Sequence, residues 1–294
     1  RYLAFVWYKL PNETDYRCLN IELMQEGFCK AYSGGKTHYA DQFDGAWKQA
    51  QRLGLRQYGT ERDPGYDYGE NRPNITLKEL RLNIDDYVDK AIRTEGIVTK
   101  VFGNNVIIQD YDGEDDRYYA IEIFCGYSLS ALGWEMLVPG NRVSMAGTLT
   151  FKEAFGYTLN DITYLATRPN YDKNMRLVSE GNEVVYIPVD GAIMNNATEA
   201  KLLQQVLVRA EELHVDYINV TESVTDSNGA MSIHVTDKNG QHFVVRTSAL
   251  YENDNITLIT KDRYEGETIT VIGTIEEYND SYQIHVYTAS DIEF

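Results

Sequence analysis

Gly140-Asn141-Arg142-Val143-Ser144-Met145-Ala146-Gly147-Thr148-Leu149 returns later in the chain as Gly266-Glu267-Thr268-Ile269-Thr270-Val271-Ile272-Gly273-Thr274-Ile275. Each copy reads as a strand opened by one glycine and interrupted by another. A glycine inside a strand marks a bend or the close approach of another backbone. Each copy is followed by a small residue and a tyrosine, Gly156-Tyr157 and Ser281-Tyr282. Each closes on Asp-Ile, at Asp161-Ile162 and Asp291-Ile292. Upstream, both copies carry a strand that runs into an acidic turn, Val106 through Gly113 and Ile233 through Gly240. Two copies of one β-domain follow from this, 76–171 and 183–294. Five or so bent, glycine-marked strands in about a hundred residues suit a small closed barrel. The repeat aligns 199–213 with 84–98, so that stretch is read as a short helix followed by a strand.

The rest of the chain is organised differently. Residues 1–59 read as a small α+β segment. Tyr2 to Tyr8 is aromatic and β-branched and stops at Leu10-Pro11-Asn12. Leu19 to Gly27 reads as a helix with its glycine at the C-terminal cap. Ala40 to Leu53 reads as a second helix, with Phe43, Trp47 and Ala50 on one stripe. Residues 60–75 read as a linker, and 172–182 as another. The fold class is therefore mainly β, with a small α+β segment at the N-terminal end.

Charge narrows the function classes. The formal net charge of −18 is distributed as +2 over 1–59, −2 over 60–75, −5 over 76–171 and −13 over 172–294. Polyanions are held mainly by Lys and Arg, so nucleic-acid affinity is expected in 1–59 with the first barrel. Arg209, Arg246 and Arg263 form a local basic patch in the second barrel only if they converge. A protein or carbohydrate partner suits that acidic barrel otherwise. The three cysteines show no zinc-like spacing, and their odd number argues against a disulfide framework. No apolar run is long enough to span a bilayer.

The stretch Arg1-Tyr2-Leu3-Ala4-Phe5-Val6-Trp7, with Leu19 to Ala31 and the helix around Trp47, resembles the C-terminal half of the staphylococcal nuclease (thermonuclease) family. The later repeats resemble the OB-fold modules attached to nuclease domains in extracellular bacterial nucleases. The resemblance implies a partial nuclease-type barrel over 1–59 followed by two OB-type barrels. It also implies a calcium-dependent phosphodiesterase acting on DNA or RNA, and an extracellular or cell-surface bacterial location. Arg1 aligns with a catalytic arginine that binds a phosphate oxygen, and Asn20 with a structural asparagine. The family's calcium ligands, its glutamate and its first arginine all precede the aligned region, so this chain alone is expected to be inactive and to hold no cofactor. The alternative is a non-catalytic OB-fold binding or scaffold protein.

The candidate nucleic-acid-binding residues are Lys30 and Tyr32, with Phe102, Tyr111, Tyr118 and Tyr119 of the first barrel as base-stacking aromatics. No metal site is read in the chain. His234 and His242 fall on neighbouring strands but lack further ligands. The acidic run Asp110 to Asp116 lacks the glutamate a calcium loop needs twelve positions on, since Ile121 stands there. It is read as a solvated hairpin turn.

Overall fold

The computed structural model describes residues 4–29, 38–59, 72–126, 129–153, 156–167, 171–225 and 227–294. The chain divides into two compact units, Arg1–Tyr68 and Gly69–Phe294.

In the first unit a two-residue ladder joins β1 (Trp7–Tyr8) to β2 (Arg17–Cys18), followed by α1 (Leu19–Gln25) and α2 (Ala40–Leu53). The expected strand is shorter than Tyr2–Tyr8 among the described residues, because residues 4–6 bond to a side chain in place of a neighbouring strand. Val6 N–H donates to Asn20 Oδ1 at 2.8 Å, and Asn20 Nδ2 donates to the Ala4 carbonyl at 3.3 Å. Asn20 thus holds the strand entry onto α1. Gly27 follows the helix at φ +76, and a Cβ there would meet the Leu55 carbonyl oxygen at 2.5 Å. Only a glycine satisfies both the left-handed backbone and the close approach.

The second unit contains both barrels. After α3 (Leu77–Leu82) come β3 (Ala91–Phe102), β4 (Asn105–Asp112) and β5 (Arg117–Phe124), then α4 (Ala131–Trp134), β6 (Arg142–Lys152) and β7 (Gly156–Asn160). β3, β4 and β5 form an antiparallel meander. β7 runs parallel to β5 and antiparallel to β6, and β6 closes on β3. This is the partly open Greek-key order of an OB barrel. β8 (Arg176–Ser179), inside the stretch read as a linker, adds to the free edge of β6.

β9 (Ile187–Pro188), α5 (Gly191–Met194) and α6 (Ala197–Leu202) lead into the second barrel: β10 (Leu207–Val220), β11 (Met231–Thr236), β12 (His242–Thr247), β13 (Thr268–Tyr278) and β14 (Ser281–Val286). β15 (Ile292–Glu293) adds to β13. The pairing repeats the first barrel strand for strand.

The repeated glycines take equivalent places. Gly147 pairs with Ile92 of the first strand, Gly273 with Val208, and the next residues, Thr148 and Thr274, pair with Asn160 and His285. A Cβ at Gly147 would meet the Asn160 carbonyl oxygen at 2.4 Å; one at Gly273 would meet that of His285 at 2.3 Å. The fourth and fifth strands cross too closely there for any side chain.

Candidate functional site

An OB barrel offers ligands the outer face of its second and third strands, here β4–β5 and β11–β12. Strand pairing aligns the two faces residue by residue. Ile123 and Val245 face Leu159 and Ile284 of the fifth strands, and across the ladder they face Val106 and Ile233. Hence Ile107, Ala120 and Glu122 correspond to His234, His242 and Val244. Both first strands shift register just before this face, between Val98 and Lys100 and between Val215 and Tyr217. Lys100 therefore corresponds to Tyr217.

In the first barrel this face is covered by the second barrel. Ile107 and Ala120 are buried within the second barrel's core cluster, with Phe102 and Tyr118 packed against it. Phe102 stacks on Tyr287 at 3.9 Å between ring centroids. Lys100 pairs with Asp291 at 2.5 Å. Arg81, buried on α3, donates through Nη2 to the Ala120 carbonyl at 2.8 Å and to Gln205 Oε1 at 2.7 Å. Burial lowers its pKa to about 10. Gln205, at φ +65, reaches back through its amide to the Tyr157 carbonyl at 3.0 Å. Gln109 Oε1 accepts from Leu207 N–H at 3.1 Å.

This arrangement disposes of most of the candidate aromatics. Phe102 and Tyr118 belong to the junction between the barrels. Tyr119 is a core residue, 2% exposed, whose hydroxyl donates to Asp115 at 2.6 Å; burial first, and that bond second, push its pKa up to about 12. Tyr111 is exposed, with its hydroxyl on Asp116 and its ring tilted against Tyr118. Arg1, Lys30 and Tyr32 lie outside the described residues. The acidic turn is an ion-paired hairpin, since Lys78 reaches Asp112, Glu114 and Asp115 at 3.0, 3.2 and 3.1 Å. Among the described residues no group of three or more His, Cys, Asp or Glu side chains could hold a metal ion.

The equivalent face of the second barrel is open and differently furnished. Tyr217, half exposed, stacks on His234 at 4.0 Å and 14°. Asn219 Nδ2 lies 3.3 Å from His234 Nε2. The Thr236 hydroxyl donates to Asp216 at 2.7 Å and stands 2.7 Å from His242 Nδ1. Burial lowers the His234 pKa, against the opposing pull of Asp216. The residues Asp216, Tyr217, His234, His242 and Val244 line an open depression of about 300 Å³. At one end, Arg246 donates to Ser232 at 3.0 Å and Thr221 at 2.9 Å, and it has no carboxylate partner among the described residues. Arg209 is paired with Glu211 and Glu293, and Arg263 with Glu252. The three arginines do not form one patch; Arg246 alone keeps its charge for a ligand.

No protein-family model matches the chain, and no curated protein matches it. Solved structures with some likeness include a murine DNA-binding protein bound to double-stranded DNA, at 10% identity, covering 66% of this chain and 90% of that chain with a TM-score of 0.33. An asparaginyl-tRNA synthetase of Entamoeba histolytica in complex with asparaginyl-adenylate shows 8% identity, coverage of 55% and 52%, and a TM-score of 0.24. A replication protein A heterotrimer bound to single-stranded DNA shows 9% identity, coverage of 78% and 70%, and a TM-score of 0.22. The barrel assignment rests on the strand pairing described above.

Proposed function

We propose that this chain is an OB-fold binding protein for short single-stranded nucleic acid, and that the ligand lies across β11 and β12 of the second barrel. The observation that carries the reading is the Tyr217–His234 stack, supported from below and open above, beside the unpaired Arg246. A base stacked on Tyr217 contributes roughly 1–3 kcal/mol. Arg246 keeps further N–H groups for a phosphate or a base edge. Asp216 can accept from an exocyclic amine of the stacked base.

The −13 charge of residues 172–294 and the Asp216 carboxylate beside an exposed ring favour a second reading, a neutral oligosaccharide on the same face. The resemblance of residues 1–59 to thermonuclease extends the first reading to a calcium-dependent phosphodiesterase of bacterial, extracellular setting, with Arg1 neutralising a phosphate oxygen. The described residues of that unit bring together no group of three or more carboxylate, histidine or cysteine side chains for calcium.

Fluorescence polarisation with short single-stranded oligonucleotides at low salt tests the proposal. Tyr217→Ala and Arg246→Ala should each weaken binding about tenfold, and Tyr111→Ala should leave it unchanged. Binding that ignores both second-barrel substitutions, or no binding at all, would overturn it; retention of a neutral oligosaccharide in place of the oligonucleotide would favour the second reading.

A further inference from the structure

Three guanidinium groups gather on the far side of the first barrel, away from the face that the second barrel covers. Arg93 points outward from β3 and is half-buried. Its Nη1 donates to the Ser144 hydroxyl at 3.0 Å, and its Nη2 donates to the Asn174 carbonyl at 3.0 Å and to the Asp172 carbonyl. Arg176 of β8 stands directly across the ladder from Ser144, the residue that Arg93 binds. Arg72 reaches the Gly147 carbonyl at 3.3 Å, and Gly147 pairs with Ile92, the neighbour of Arg93. Register and hydrogen bonds thus place all three around one spot.

The electrostatics agree with the geometry. Burial lowers the Arg93 pKa, and the charges of Arg176 and then Arg72 lower it further, with only Asp172 opposing. No described carboxylate forms an ion pair with any of the three. Their acceptors are backbone carbonyls and one hydroxyl. Arg72 Nε is buried without a partner, while Arg176 is exposed. In a chain with 45 acidic and 27 basic residues, these three guanidinium groups stand together with Asp172 near Arg93 but with no carboxylate in ion-pair contact among the described residues.

We infer that Arg72, Arg93 and Arg176 form a binding site for a phosphate group. Guanidinium matches phosphate in planarity, permanent charge and paired donors. Arg93, tied down by the Ser144 hydroxyl and the carbonyls of Ser144, Asp172 and Asn174, fixes the floor. Arg176, open to solvent, supplies the donors that meet the ligand. The site lies on the first barrel and does not depend on the strand-binding reading of the second.

The test uses the full chain. Thermal unfolding is followed while inorganic phosphate is titrated against sodium chloride of matched ionic strength. A ligand that binds the folded state raises the midpoint. Arg176→Ala should weaken the phosphate effect about tenfold or more. Arg176→Glu should supply the missing charge from within, raise the midpoint without phosphate and abolish the phosphate response. A rise of the midpoint with a 5′-phosphorylated oligonucleotide, absent with its unphosphorylated form, in a Tyr217→Ala, Arg246→Ala background would identify the phosphate as one carried by nucleic acid; a rise with inorganic phosphate alone would identify a small phosphate ligand. A phosphate response equal to that of chloride, or one unchanged in Arg176→Ala, would sink the inference.

Discussion

Ile107 and His234 hold the same position in two copies of one barrel, and only Ile107 is covered. Ile107 pairs with Glu122 and is fully buried at the junction; His234 pairs with Val244 and carries Tyr217 on its ring. One copy has turned its face into an interface between barrels. The other has kept it in solvent, and has an imidazole that supports an aromatic ring where the first copy has an isoleucine.

The histidine therefore gives the second barrel a pH signature. Burial beneath Tyr217 lowers its folded pKa below the ordinary value of 6.5. Between the two values the unfolded chain binds more protons, so stability rises with pH. The contribution is present above about pH 6.5 and is lost as pH falls through the folded value. His234→Gln should flatten this part of the stability profile, and denaturant unfolding across acidic pH would measure it. An unchanged slope would show that the stack does not shield the imidazole.

Glu122 behaves in the opposite sense. Burial first, and the charge of Glu276 second, raise its pKa to about 8 from 4.5. Glu276 is in turn 2.6 Å from His285 Nδ1, with the Tyr287 hydroxyl at 3.5 Å. The folded state holds the Glu122 proton where the unfolded state has lost it. Its contribution is full below about pH 4.5 and disappears as pH rises through 8. Glu122→Gln should leave the midpoint near pH 4 unchanged and raise it above pH 8. A loss of stability at alkaline pH in that variant would mean that the carboxylate has a partner there.

The repeated glycines admit a direct comparison. At Gly147 and at Gly273 an added methyl group runs into a backbone carbonyl, which cannot swing aside as a side chain does. Gly147→Ala and Gly273→Ala should each destabilise by about 1–3 kcal/mol, measured by denaturant unfolding. Gly45 in α2 has nothing within 4 Å of the same methyl. Gly45→Ala should stabilise its helix by roughly 0.5–1 kcal/mol.

These glycines also show what was legible in the sequence. Strand-bend spacing is a local property, so Gly147 and Gly273 and the strands around them could be aligned without coordinates. The use of a barrel face is not local. Phe102 and Tyr118 have the chemistry to stack on a base, and equally to pack on Tyr287 and a neighbouring core. The difference between the copies did carry a signal. Isoleucine and alanine at 107 and 120 stand opposite histidines at 234 and 242, an apolar pair against a polar one. Arg81 and Gln205 left no comparable mark, because burial of an arginine depends on acceptors from distant segments, here Ala120 and the Gln204–Gln205 pair.

Net charge and surface geometry make opposite forecasts for nucleic-acid affinity. By charge, affinity belongs to residues 1–171, since 172–294 carries −13 and repels a polyanion at long range. By geometry, the first barrel's face is filled, and the second barrel presents the ring and the unpaired arginine. The two are reconciled if binding draws on stacking more than on phosphate contacts. Each phosphate neutralised on a single strand contributes about −0.7 to the slope of log K against log salt. With Arg246 as the one unpaired cation on the face, among the described residues, the slope should be close to that of a single contact. Polarisation titrations at several salt concentrations would give it. Arg246→Ala should reduce the slope to near zero while Tyr217→Ala leaves the slope and lowers the affinity. A steep slope that survives Arg246→Ala would return the binding surface to the N-terminal segment and the first barrel.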